Sequence, residues 1–343
     1  MSTWAILLSG GSSTRMRAAV NKTLIPLALS GLVMGLSVAS KWTGCYAGVG
    51  LAVLFFWSLY RRFTQARAAQ KEKGIADIPA REVWRRPMVT LASCLVFFIA
   101  VPLAIYFVSY IPYFLPWSPP GVTVKRVIQA AVGDWLYGGS KGGMLGYHST
   151  PGLGMNHPFY SPWYQWPVIG KPMWYYAAAY HDADTTQTIV AFGNPAVWWV
   201  GLAAMVGLIL IWALRHVRRE GVTLHTRAND MRPAILLISF AAQYLPWVLV
   251  PRGTYIYHYF PAVPFIILAT VLCLDLLSDR LAKPVTLPGD KTLQLRFVPV
   301  ALAILLMAAA LALFIAFFPY ISGITASRSW LQAMQWFRGW IYF

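Results

Sequence analysis

Long apolar blocks separated by short polar segments run through most of the chain. They cover 24–40, 43–60, 88–110, 194–214, 233–250, 255–277 and 297–318. Each is long enough for a helix to cross a hydrocarbon core of roughly 30 Å. The pattern predicts an all-α integral membrane protein with about seven transmembrane helices. Lys41 and Trp42 interrupt the first apolar stretch. One helix over 24–60 would be about 55 Å long, too long for a single crossing, so a helical hairpin turning near Lys41 is expected. In residues 122–137, Val124, Val127, Ile128, Ala131 and Trp135 recur at helical spacing, which predicts an amphipathic helix at a membrane surface.

The polar segments give direction. Arg61, Arg62, Arg67, Lys71, Lys73, Arg81, Arg85 and Arg86 fall in 61–87. Arg215, Arg218, Arg219, Arg227 and Arg232 fall in 215–232, and Arg280, Lys283, Lys291 and Arg296 in 278–296. Basic loops stay in the cytoplasm. The expected arrangement is therefore a multi-pass cell-membrane protein with a cytoplasmic N-terminus, an extracytoplasmic C-terminus and a large extracytoplasmic loop at 111–193. No cleavable signal peptide is evident, because the N-terminus lacks the charged, apolar and small-residue regions of one. A net charge of +17 would suggest nucleic acid in a soluble chain, but hydrophobic residues are 58% and charged ones 11%. The basic residues instead follow the loop pattern, and no nucleic-acid partner is expected. Cys45, Cys94 and Cys273 lie in apolar blocks without metal-like spacing, so packing is their expected role.

The outer loop is too long for a passive connector. It carries Trp117, Trp135, Trp163, Trp166, Trp174, His148, His157 and His181, but only Asp134, Asp182 and Asp184 as acids. Aromatic rings at this level serve either as an interfacial belt or as a platform for sugars and lipid headgroups. The histidines are too widely spaced for a compact metal site, and no cofactor is expected. Charges at membrane depth are costly and usually functional. Lys41, Lys171, Arg252 and His258 all fall near the outer surface on this topology, where cations either reach headgroups or hold the phosphate of a lipid carrier. Tyr255, Tyr257 and Tyr259 accompany Arg252 and favour the second role. Asp275 falls near an inner helix end.

Three stretches resemble the protein O-mannosyltransferases, in particular the bacterial polyprenyl-phosphate-mannose-dependent members. They are GLVMGLSVASKWTGCYAGVGLAVLFF (31–56), HPFYSPWYQWPVIGKPMWYY (157–176) and PRGTYIYHYFPAVPF (251–265). The resemblance covers roughly 29–343 and implies a partial GT-C glycosyltransferase fold. Its implied activity is inverting transfer of mannose from a polyprenyl-phosphate carrier to Ser or Thr of an exported protein. It divides the chain into membrane helices at 29–110, an extracytoplasmic aromatic loop at 111–193 and a C-terminal four-helix membrane region at 194–343. On this reading Lys41, Arg252 and His258 bind the donor lipid phosphate, while His157, Trp163, Trp166 and Tyr257 line the sugar and acceptor side.

The chain departs from the family pattern at its front. That family's first outer loop carries an acidic catalytic pair, and no acidic residue precedes Glu72 here. An inverting transfer needs a base for the acceptor hydroxyl. No catalytic residue is therefore assigned, and the expectation is the C-terminal part of such an enzyme, inactive alone. Residues 5–27, AILLSGGSSTRMRAAVNKTLIPL, resemble the opening of a methylerythritol phosphate cytidylyltransferase. The strand, glycine-rich loop, Arg15 and Lys22 follow that family's pattern, yet no α/β domain follows, so 1–28 is expected to be a non-functional leader. Two other functions fit the polar residues: a non-catalytic subunit associating with a full-length transferase, and a transporter or lipid flippase. The latter usually shows paired repeats with broken helices near the midplane, and no convincing repeat is present.

Overall fold

A computed structural model describes residues 24–73, 80–114, 123–133, 143–178, 182–217, 230–282, 285–286, 292–293 and 295–340. Two compact units are present, Met1–Thr150 and Pro151–Phe343, and the division falls inside the expected outer loop. Residues 5–23 of the cytidylyltransferase-like opening, with Arg15 and Lys22, and Trp117, Trp135, Asp134, His181 and most of the second basic loop lie outside the described residues.

In the first unit, α1 (Leu24–Ser40) and α2 (Gly44–Lys73) flank a turn at Lys41. Lys41 N–H donates to the Ser37 carbonyl at 2.8 Å, and Gly44 N–H donates to the Lys41 carbonyl at 3.0 Å. α2 has 30 residues, so the expected 43–60 span is the apolar front of a helix that runs on through Arg61 to Lys73. α3 (Ala80–Leu95) continues through a π-helical turn, Val96–Ala100, into α4 (Val101–Val108). Pro102 has no N–H to donate, and the helix accommodates it beside this turn, where Val101 N–H reaches back to the Val96 carbonyl.

Gly31 and Gly35, four residues apart, share one face of α1. A Cβ added at Gly31 would lie 2.1 Å from the Phe97 carbonyl oxygen, and one at Gly35 would lie 3.0 Å from Pro102 Cα. Such small residues let membrane helices meet backbone to backbone. Gly31→Ala is expected to lower stability by about 1–3 kcal/mol through overpacking. Gly48→Ala, whose added Cβ meets the flexible end of Met34 (sulfur at 3.2 Å, terminal methyl at 3.4 Å), should be tolerated. Thermal unfolding of the two variants in detergent checks the contrast.

The expected amphipathic helix forms as α5 (Val124–Val132), with Thr123 as its N-cap accepting from Arg126 N–H. Val127 and Ala131 are buried. Part of its apolar face is thus covered by protein, since α5 packs on α4 and on α6 (Gly143–Ser149).

In the second unit, β1 (Met173–Ala177) pairs antiparallel with β3 (Thr188–Ala191), and β2 (Thr185–Thr186) precedes β3. α7 (Pro195–Val217) starts at Asn194. The Asn194 side-chain oxygen accepts from Ala196 and Val197 N–H, while its amide donates to the Ala310 carbonyl. α8 (Arg232–Tyr244) extends into a 3₁₀ turn, Leu245–Leu249. A second 3₁₀ turn, Ile256–Ala262, leads into α9 (Val263–Leu281). After the small hairpin of β4 (Val285–Thr286) and β5 (Thr292–Leu293), α10 (Phe297–Ser322) runs to β6 (Ala326–Ser327) and α11 (Arg328–Ala333). β6 pairs with β2. Arg232 bridges Asp230 at 3.0 Å and Asp275 at 2.6 Å. This ties α8 to α9 at the end of the pair remote from the 250–256 turn.

Five helical stretches among the described residues are long and apolar enough to cross a membrane: Met88–Val108, Pro195–Leu214, Arg232–Leu249, Ile256–Leu281 and Phe297–Ser322. Ile25–Ser40 is a shorter apolar helix. The chain is a mostly helical, multi-pass membrane protein.

Candidate functional site

The site in the second unit is built from two segments far apart in sequence. One is the loop 152–170 and the other is the turn 250–258 between α8 and α9. Backbone hydrogen bonds join them: Gly152 N–H to the Pro251 carbonyl at 2.9 Å, Gly253 N–H to Leu153 at 2.6 Å and Ser161 N–H to Thr254 at 2.9 Å. The Thr254 hydroxyl returns a bond to the Ser161 carbonyl at 2.9 Å. Both Ser161 and Thr254 are buried, so these groups satisfy one another where water is excluded. Gly253 is required by the closeness of the strands, because a Cβ there would lie 2.4 Å from the Gly154 carbonyl oxygen.

Aromatic rings fill the space behind this pairing. Trp166 is fully buried, and its indole N–H donates to the Ser161 carbonyl and hydroxyl, both at 3.1 Å. Its ring stacks on His258 with centroids 5.9 Å apart and planes 24° apart. Trp247 also packs on the imidazole, with centroids 4.2 Å apart and planes 57° apart. Trp163 packs on Tyr244 at 5.7 Å, and the Tyr244 hydroxyl donates to the Trp163 carbonyl at 3.0 Å.

His258 is buried at 3% exposure. Its Nδ1 closes a capping arrangement with Tyr255, lying 3.0 Å from the Tyr255 N–H and 2.9 Å from its carbonyl oxygen. The imidazole therefore fixes the shape of the turn, a constraint that the sequence reading of His258 as a phosphate cation did not contain.

The outer side is formed by His157, Tyr255, Tyr257 and Tyr175. The His157 ring meets Tyr255 edge-on at 5.3 Å, Tyr255 stacks on Tyr257 at 5.7 Å, and Tyr175 tilts onto Tyr257 at 6.2 Å. His157 Nδ1 accepts from Phe159 N–H at 3.2 Å. Burial, and then the neighbouring Tyr257, push the Tyr175 phenol up, so at neutral pH it stays protonated and can donate a hydrogen bond. Arg252 is half-buried beside this row and interacts electrostatically with Tyr257. Among the described residues its guanidinium has no hydrogen-bond or ion-pair partner. A half-buried cation without a counter-charge, bordered by neutral aromatic hydroxyls, is suited to hold an anion.

The structure thus brings His157, Trp163, Trp166, Tyr257 and His258 together in one cluster with Arg252. Lys171 is half-buried two residues before β1. Lys41 belongs to the first unit, where it is exposed at the α1–α2 turn. Next to it, the Trp42 indole donates to the Tyr106 hydroxyl at 3.0 Å, which lies 2.9 Å from the Tyr110 hydroxyl, and His148 packs on Trp42 at 5.3 Å. Asp182 and Asp184 are exposed before β2. Among the described residues no group of three or more His, Cys, Asp or Glu could hold a metal ion.

The profile of the C-terminal four TMM region of protein-O-mannosyltransferase matches residues 143–340, which include every part of this cluster. The chain belongs to the protein O-mannosyltransferase family. Similar proteins include the polyprenol-phosphate-mannose–protein mannosyltransferase of Mycolicibacterium smegmatis, 27% identical over 333 residues, covering 91% of this chain and 57% of that protein. The Corynebacterium glutamicum protein of the same name is 24% identical over 334 residues, with 91% and 57% covered. The solved structure of the S. cerevisiae protein O-mannosyltransferase Pmt1-Pmt2 complex bound to the sugar donor matches at a TM-score of 0.43 and 26% identity, covering 54% of this chain and 24% of that one. The chain spans a little over half the length of the two bacterial relatives.

Within this family member, sequence reading missed Ser161, Thr254, Tyr244 and Trp247. Ser161 and Thr254 act through backbone pairing, which leaves no periodic signal. Tyr244 and Trp247 sit in an apolar helical stretch, where aromatic residues are unremarkable until the fold packs both against Trp166.

Proposed function

We propose that this chain forms the donor- and acceptor-binding membrane region of a protein O-mannosyltransferase, using mannose carried on a polyprenyl phosphate and Ser or Thr of exported proteins as acceptor. The observation that carries this is the half-buried Arg252 guanidinium, which among the described residues has no hydrogen-bond or ion-pair partner and lies in the field of Tyr257. In the reaction an acceptor hydroxyl attacks the anomeric carbon, the bond from that carbon to the phosphate oxygen breaks, and the polyprenyl phosphate leaves with the added negative charge. Arg252 holds that phosphate and stabilises the charge as it develops. His157, Trp163 and Tyr257 offer ring faces and polar tips to the sugar and acceptor. Trp166 and His258, both buried, set the geometry of that surface from behind. Lys41 serves as a headgroup or phosphate cation at its own turn. The basic segments support a cytoplasmic N-terminus, with this site on the outer side.

No base for the acceptor proton is assigned among the described residues. Association with a second, full-length transferase chain is part of the proposal. The test is transfer of labelled mannose from polyprenyl phosphate mannose to an exported Ser/Thr-containing polypeptide. Membranes holding the full chain, with and without a full-length transferase, are compared with membranes lacking it. A gain that Arg252→Ala removes is expected. Equal transfer in all membranes would contradict the proposal.

A further inference from the structure

The loop 152–170 ends in a strained turn. Ile169 has φ +57, a left-handed conformation that is an outlier for a β-branched residue and costs on the order of 1–3 kcal/mol. It is also fully buried. Such a conformation persists only where its surroundings enforce it, and here the enforcing groups come from the last residues of the described chain. The indole N–H of Trp340, also fully buried, donates to the Ile169 carbonyl at 2.6 Å. Gly339 lies against the next peptide, since a Cβ there would fall 2.4 Å from the Gly170 carbonyl oxygen. Trp340 is itself fixed by Trp336, stacked at 5.7 Å, and by Phe192 at 5.3 Å and Phe317 at 5.9 Å. From Ile169 the constraint passes back through the loop. Ile169 N–H donates to the Trp166 carbonyl at 2.9 Å, and Gly170 N–H donates to the Gln165 carbonyl at 2.8 Å. Trp166 is the residue whose ring stacks on His258.

We infer that the segment 336–340 is a latch for the candidate site and that Trp340 is a positioning residue. Its indole holds the strained Ile169 turn, which presses Trp166 onto His258 and so fixes the turn carrying Arg252. The inference rests on the proposed reading of that turn as a phosphate site, and the experiment separates the two. In the full chain, Trp340→Phe keeps a ring in the pocket but leaves the Ile169 carbonyl unpaired. Gly339→Ala pushes the latch off without touching Trp340.

Backbone hydrogen exchange is read at 165–170, at 254–258 and along α10, with polyprenyl monophosphate binding measured alongside. Loss of one buried hydrogen bond should speed exchange about tenfold. Both variants are expected to show this at 165–170 and also at 254–258, with α10 unchanged, and to bind polyprenyl monophosphate more weakly at temperatures well below unfolding. Faster exchange confined to 336–340, or faster exchange at both segments with unaltered affinity, would overturn the positioning role. An unmodified chain that fails to bind the lipid would count against the phosphate reading, and the exchange at 254–258 would still decide the latch.

Discussion

Gly253→Ala is expected to separate the loop 152–161 from the turn 250–258 and to destabilise the second unit by about 3–5 kcal/mol. That sum combines about 1–3 kcal/mol for overpacking with about 1 kcal/mol for each of the two hydrogen bonds that close approach permits. The added methyl would lie 2.4 Å from the Gly154 carbonyl oxygen, 2.5 Å from its carbon and 3.0 Å from Met155 N. All three are backbone atoms, so no side chain can swing aside. Moving the strands apart loses the Gly253-to-Leu153 and Gly152-to-Pro251 bonds. Thermal unfolding in detergent, followed by tryptophan fluorescence, measures the loss. An alanine variant with the parent's unfolding midpoint would show that the two strands do not meet as described.

Trp166→Ala should have an effect of similar size by a different route. The side chain is fully buried among Trp247, Tyr244 and His258, and removing a buried tryptophan costs about 3–5 kcal/mol. Trp166→Phe keeps a ring but not the N–H that meets Ser161, and about 1–2 kcal/mol is expected from it. The ordering alanine, then phenylalanine, then parent in chemical unfolding is the expected result. Equal stability of the two variants would mean that packing on His258 contributes nothing beyond the indole hydrogen bond.

Much of this architecture is legible in the chain because a bilayer imposes simple rules. Apolar length marks the helices, and the interruption at Lys41 marks a turn that the structure places between α1 and α2. The spacing of Val124, Val127 and Ala131 marks α5, whose buried face carries the last two. The aromatic loop and the Arg252 turn stand out by composition, since a cation at membrane depth is costly.

Their mutual contact is not legible, because it is made by glycines and main-chain groups whose only sequence trace is the absence of a side chain. His258 shows the same limit. The chain marks it as a candidate phosphate ligand but carries no sign that its Nδ1 meets the Tyr255 backbone or that its ring packs on Trp166 and Trp247. Trp340 is one of 16 tryptophans, and nothing in its neighbourhood distinguishes it. Only the left-handed Ile169, invisible in sequence, gives it a task.

The central claim is that Arg252 receives the phosphate of a lipid carrier. A direct titration of polyprenyl monophosphate against the full chain in detergent, comparing the parent, Arg252→Lys and Arg252→Ala, tests it. Hydrogen bonds to a charged group are worth about 1.5–3 kcal/mol, so Arg252→Ala should weaken binding by about 10- to 150-fold. Lysine should recover part of the loss, because it keeps the charge without the two-pronged geometry. Equal affinity for the parent and Arg252→Ala, with both folded, would contradict the account.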